Sequence, residues 1–169
     1  VRGGGGRRLC AFRRGGDPRG GFRHPPHGLP GPRALETALA KGDVACILAE
    51  PALTNIGMVL PEPGFLDGMA ALAKKYGTLL IIDETHTIST GYGGYTPTHV
   101  LKPDFSTLGT RVAGGIPCSV FGSSAETAES IRKAEDEVGP GYSGIGTTLS
   151  ASVQQLHAMR ARFMVQRHD

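Results

Sequence analysis

Two acids stand out by their position. Glu50 and Asp83 each follow directly on a short apolar run, Val44–Ala49 and residues 78–82. A continuous apolar run of this length reads as a strand buried on both faces of a sheet. An acid at the C-terminal end of such a strand lies where open parallel sheets bind their ligands. It is partly desolvated there, which is costly unless a cationic group meets it. Asp83 therefore either faces a ligand or caps a turn, and position alone leaves both readings open. Metal chemistry has no comparable signal. The three cysteines, at 10, 46 and 118, show no ligand spacing and no even disulfide framework. Cys46 and Cys118 fall in apolar runs and read as reduced core residues.

The elements that would carry these acids alternate. Residues 32–41 read as a short helix with Leu35 and Leu39 on one face, stopped by Gly42. The strand Val44–Ala49 follows, then a loop with prolines at 51, 61 and 63. Over residues 65–76, Phe65, Met69, Leu72 and Tyr76 recur at helical spacing, with Lys74 and Lys75 near the C-terminus and Gly77 as the stop. Residues 78–83 form a second strand ending abruptly in charge. Strand, helix and strand with short links make a βαβ unit, so the two strands should be parallel. Two more short strands are expected at 104–108 and 116–122. Ser123 and Glu126 have capping-box spacing and open a charged helix to Val138. A last helix is expected over 148–165, with Leu149, Val153 and Leu156 following its turns. No internal repeat is present.

Composition divides the chain near Pro32. Residues 1–33 hold eight arginines, one acid and 15 glycines and prolines; residues 34–169 carry a formal charge of −4. The first segment is expected to be disordered, because its large apolar residues have no period and its glycines make ordering costly. Arg-Gly-Gly triplets at 2–4, 14–16 and 19–21 suit RNA binding through charge and flexible backbone. The alternative is that residues 1–33 are not a genuine coding segment. Residues 34–169 read as the folded part, and the whole chain's apolar content of 39% and charged content of 20% are ordinary for a soluble protein. No apolar run approaches the roughly 20 residues a membrane helix needs. No apolar block follows the first arginines as a secretory signal would require, so a cytoplasmic location is expected.

Five motifs occur in one order: Glu50-Pro51-x-x-x-Asn55-x-Gly57, then Pro61-x-Pro63-Gly64-Phe65-Leu66, then Gly77-Thr78-Leu79-Leu80-Ile81-Ile82-Asp83-Glu84, then Pro103-Asp104-Phe105, then Leu108-Gly109-x-x-x-x-Gly114-Gly115-Ile116-Pro117. Together they resemble the class III pyridoxal-phosphate (PLP) aminotransferases, and within them the glutamate-1-semialdehyde aminomutase branch. The resemblance runs from about residue 35 to residue 165. It implies an α/β fold, part of the large domain of the PLP-dependent transferases, with a mostly parallel sheet flanked by helices. It also implies a small-molecule amino-group donor and acceptor, and a homodimer.

Residue by residue, the resemblance places Asp83 against the pyridine nitrogen of the cofactor. His86 falls where relatives carry a residue facing the ring's phenolic oxygen, and a surface histidine is the alternative. Glu50 and Asn55 match positions lining the cofactor and substrate side, with loop-structuring hydrogen bonds as the alternative. Thr148, in Gly146-Thr147-Thr148-Leu149-Ser150, matches a threonine that contacts the phosphate of the neighbouring subunit's cofactor. A helix N-terminus with a hydroxyl suits that role and suits a simple N-cap equally. After it stand Ala151, Ser152 and Val153, where relatives often show Gly-Asn-Pro.

One departure is chemically central. The family's lysine follows Leu-Gly, and here Leu108-Gly109 is followed by Thr110. A threonine hydroxyl neither holds the cofactor covalently nor moves a proton as that lysine does. Arg111 is no substitute, since its guanidinium stays protonated. Lys102 and Lys133 are the nearest lysines, and neither is on the expected turn. The family's phosphate-holding turn, its stacking aromatic and the arginine for the substrate carboxylate are not expected in this chain. The sequence therefore predicts either an aminotransferase-type enzyme or, favoured by Thr110, a non-catalytic remnant of one.

Overall fold

The computed structural model describes residues 8–11, 32–55, 57–99, 101–138 and 152–165. The chain forms two compact units, Val1–Ser106 and Thr107–Asp169.

In the first unit the order is β1 (Arg8–Ala11), α1 (Pro32–Leu39), β2 (Val44–Ala49), α2 (Phe65–Lys75), β3 (Leu79–Asp83), a 3-10 turn at Ile88–Thr90, α3 (Tyr95–Thr98) and the start of β4 (Phe105–Leu108). β2 pairs in parallel with β3, setting Cys46 against Leu79 and Ala49 against Ile82. The expected βαβ unit is therefore present. β1 pairs in parallel with the other edge of β2, with Leu9 opposite Cys46 and Ala11 opposite Leu48. It lies inside the arginine- and glycine-rich segment, for which disorder was expected. Residues 7–14 are that segment's longest stretch without glycine or proline, so a ladder can form there.

Consecutive parallel strands joined by right-handed crossovers place their helices on one face of the sheet. α1 and α2 do meet: Lys75 Nζ reaches Glu36 Oε1 at 2.7 Å, and the Tyr76 hydroxyl donates to the same oxygen at 3.2 Å. Beneath them Leu35, Leu39, Ile47, Met69, Leu80 and Ile82 form the centre of the core. The expectation of strands buried on both faces is not met. In β3, Leu80 and Ile82 are buried, while Leu79 is 41% exposed and Ile81 is half-buried. The two helices cover one face, and the alternate positions are only partly shielded. Cys46, on that second face, is half-buried and free, and burial pushes its thiol pKa up.

α2 ends as its sequence predicts. Thr78 N–H donates to the Ala73 carbonyl at 2.9 Å and Gly77 N–H to the Lys74 carbonyl at 3.3 Å, with Gly77 at φ 61°. This double bond pattern closes the helix and needs the left-handed residue glycine supplies. At the start of β4, Asp104 exchanges two bonds with Leu80: its N–H donates to the Leu80 carbonyl at 2.9 Å, and its Oδ2 accepts the Leu80 N–H at 2.7 Å.

The second unit holds β5 (Val120–Ser123), α4 (Ala125–Val138) and α5 (Val153–Val165). β5 begins at Val120 rather than 116, because residues 110–116 turn and Pro117 has no N–H to give a ladder. α4 is capped by Ser124, not Ser123: its Oγ accepts the Thr127 N–H at 3.2 Å, and its carbonyl accepts the Ala128 N–H at 2.9 Å. Gln155 of α5 donates to the Pro117 carbonyl at 2.7 Å, and Cys118 Sγ lies 3.1 Å from Met159 Sδ. Cys118 is half-buried and free rather than a core residue. Val153 and Leu156 are exposed. Among the described residues no helix is long and apolar enough to cross a membrane, and no group of His, Cys, Asp and Glu could hold a metal ion.

Candidate functional site

Asp83 is the last residue of β3, and its carboxylate is half-buried at the strand's C-terminal end. Its Oδ1 accepts the N–H of Thr85 at 2.9 Å. That is the side-chain turn typical of aspartate. The second oxygen, Oδ2, has no partner among the described residues. The turn thus uses one oxygen of the side chain and leaves the other without a donor among the described residues.

The neighbouring Glu84, in sequence only the end of a motif, is the most enclosed acid of the described residues, at 2% exposure. Its Oε1 accepts the Thr96 N–H at 2.6 Å, and its Oε2 accepts the Tyr95 N–H at 3.0 Å and the Thr87 hydroxyl at 2.7 Å. Its carbonyl accepts the N–H groups of Thr87 and Ile88, at 3.1 and 2.9 Å. Burial pushes the Glu84 carboxyl upward, but the hydrogen bonds from Thr96, Tyr95 and Thr87 outweigh it and leave the carboxyl below its ordinary value. No local pattern announces this, since its two backbone donors lie eleven and twelve residues away across a glycine-containing loop. Tyr95 feels the result: burial, then the charges of Asp67 and Glu84, push its phenol pKa up.

The other expected residues are less enclosed. Glu50 follows β2 and is half-buried; its Oε2 accepts the Thr54 hydroxyl at 3.1 Å and the Thr54 N–H at 3.4 Å. Its carboxylate therefore organises the first turn of the following loop. Asn55 and His86 are exposed. Thr148 lies outside the described residues.

Thr110, in the second unit, is exposed and adopts φ 44°. The Arg111 N–H donates to the Gly109 carbonyl across it. A three-residue turn with positive φ at its centre is the rare, strained form. A β-branched residue is a poor occupant for it.

The Aminotransferase class-III family profile matches residues 32–169. Glutamate-1-semialdehyde 2,1-aminomutase of Syntrophomonas wolfei is 38% identical over 126 residues, covering 73% of this chain and 29% of that protein. A glutamate-1-semialdehyde aminomutase from Pseudomonas aeruginosa PAO1, solved as a lysine-to-alanine variant in complex with PMP, superposes with a TM-score of 0.71 at 49% identity. That match covers 78% of this chain and 30% of the other. A β-phenylalanine aminotransferase from Variovorax paradoxus superposes with a TM-score of 0.69 at 26% identity, over 92% of this chain and 39% of the other. This chain thus spans less than a third of the length of the aminomutases it matches.

Proposed function

Because this chain belongs to the class III aminotransferases, a PLP-dependent family, we propose that its first unit presents Asp83 to the pyridine nitrogen of that cofactor and that the chain as it stands does not transaminate. The first part rests on one observation: a half-buried carboxylate at the end of a parallel strand, with one oxygen held by Thr85 and the other without a partner among the described residues. When bound, PLP supplies an electron sink for charge developing at the substrate's alpha carbon. Asp83 fits such a ring, because an ionised carboxylate holds a proton on the ring nitrogen through a charge-assisted hydrogen bond. By the same resemblance His86 faces the phenolic oxygen, Glu50 and Asn55 line the substrate side, and Thr148 serves the phosphate of a neighbouring subunit. A homodimer acting on a small amino-group donor would be the ancestral setting.

The second part rests on Thr110. Its hydroxyl offers no amine to link to an aldehyde, and no base to carry a proton between carbons. The residues present therefore fit a ring held without a covalent bond and do not fit an anchored one. The test is an absorption spectrum of the purified chain after incubation with PLP and dialysis, followed by borohydride reduction and peptide mapping. No lysine-fixed PLP is expected. A retained visible band, with PLP fixed to Lys102, Lys133 or any other lysine, would show that an amine reaches the cofactor and would restore the reading of an active aminotransferase.

A further inference from the structure

Asp83 has one oxygen committed to the Thr85 N–H, and that single bond sets which way its carboxylate faces. The bond is only as fixed as the loop that carries Thr85. Residues 85–94 include three glycines, and Gly93 and Gly94 have positive φ, at 82° and 93°. Such a loop has little local reason to hold one shape.

What closes it is Glu84. Through its backbone carbonyl it receives Thr87 and Ile88 at the beginning of the loop, and through its side chain it receives Tyr95 and Thr96 at the end. The Thr87 hydroxyl joins the same carboxylate, so one residue ties both ends together. The packing is close: a Cβ at Gly94 would lie 2.9 Å from Glu84 Oε2, so a side chain there would have to displace the carboxylate. A carboxylate at 2% exposure that receives three hydrogen bonds is expensive to loosen, since each donor it lost would remain buried and unpaired.

We propose that Glu84 is a positioning residue for Asp83: it clamps the 84–96 loop so that the Thr85 N–H holds one Asp83 oxygen and leaves the other turned toward the ligand. The proposal rests on the reading of Asp83 given above, but its mechanical half concerns amide protons alone. Glu84 touches no reacting atom and acts only through its neighbour.

The test uses the full chain and two substitutions. Glu84→Gln replaces one acceptor oxygen by an amide NH2, which must then oppose either the Thr96 N–H or the Tyr95 N–H and Thr87 hydroxyl, and Thr87→Val removes a single donor and should fold even if the first variant does not. Amide hydrogen exchange should quicken at Thr85 together with Tyr95 and Thr96, by about tenfold or more in Glu84→Gln and less in Thr87→Val. Faster exchange at Tyr95 and Thr96 with Thr85 still protected, in whichever variant folds, would overturn the proposal, because the clamp would then stop short of Asp83. The second arm measures affinity for pyridoxamine 5′-phosphate, which needs no covalent anchor. Glu84→Gln should weaken it as Asp83→Asn does, and should add nothing in the Asp83→Asn background. Additive losses would mean that Glu84 supports only the fold. Absence of any binding by the unsubstituted chain would sink the cofactor reading of Asp83, and the exchange result would still decide the clamp.

Discussion

At the scale of the residue, Thr110 is where chemistry and backbone disagree. A β-branched side chain occupies a left-handed position at φ 44°, at the centre of a three-residue turn. Such a conformation costs on the order of 1–3 kcal/mol, while a glycine placed there loses about 0.5–1 kcal/mol of unfolded-state freedom. The strain is the larger of the two. Thr110→Gly should therefore raise stability by ~1 kcal/mol, read as a Tm increase of roughly 2–8 °C. A lower Tm would show that contacts of the exposed hydroxyl outweigh the strain. The residue scale also shows what the sequence could reveal of the candidate site. The place of Asp83 at the end of a strand was legible, because a charge closing an apolar run marks where the strand stops. Glu84 was not, because its burial depends on the N–H groups of Tyr95 and Thr96, and nothing beside it in sequence indicates where those lie. Glu50 was legible as a position, but only geometry shows its carboxylate turned to Thr54.

At the scale of the element, legibility follows length and periodicity. β2, α2 and β3 were readable nearly to the residue, because an apolar run or a full helical stripe was followed by an acid or a glycine. α3 was not: four residues of Tyr-Thr-Pro-Thr carry no period, and their first N–H groups are held by Glu84 rather than by local preference. α4 was off by one at its cap, since two adjacent serines can each start a helix and only Ser124 meets Thr127. α2 gives a paired test of this logic. Gly68 lies inside the helix, whereas Gly77 ends it at φ 61°, and a Cβ at either would meet nothing within 4 Å. With clashes removed, backbone preference alone sets the sign. Gly68→Ala should stabilise by ~0.5–1 kcal/mol, and Gly77→Ala should destabilise by about 1 kcal/mol. Opposite shifts in urea midpoint at unchanged m-value are the expected reading; two shifts of one sign would contradict the assignment of the helix end.

At the scale of the whole molecule, the question is what the arginine- and glycine-rich segment is for. Its composition invites an RNA-binding reading, yet residues Arg8–Ala11 pair in parallel with β2. Without them, β2 presents an unpaired edge of apolar character, which is a template for association with another chain. Loss of residues 1–33 thus has a structural consequence that comes before any effect on a charged ligand, and a simple deletion would confuse the two. Two truncations separate them. Deleting residues 1–7 removes only Arg2, Arg7 and one Arg-Gly-Gly triplet together with their flanking residues, and leaves the strand. It should leave Tm nearly unchanged. Deleting residues 1–31, which removes the strand but leaves α1 whole, should lower Tm by at least ~4 °C, the equivalent of about 1 kcal/mol for a domain of this size, and should shift the chain toward oligomers in size-exclusion chromatography. Equal Tm and elution for both truncations would mean that the strand adds nothing to the first unit. The segment's arginines would then be the part to examine, through the salt dependence of RNA binding by the intact chain.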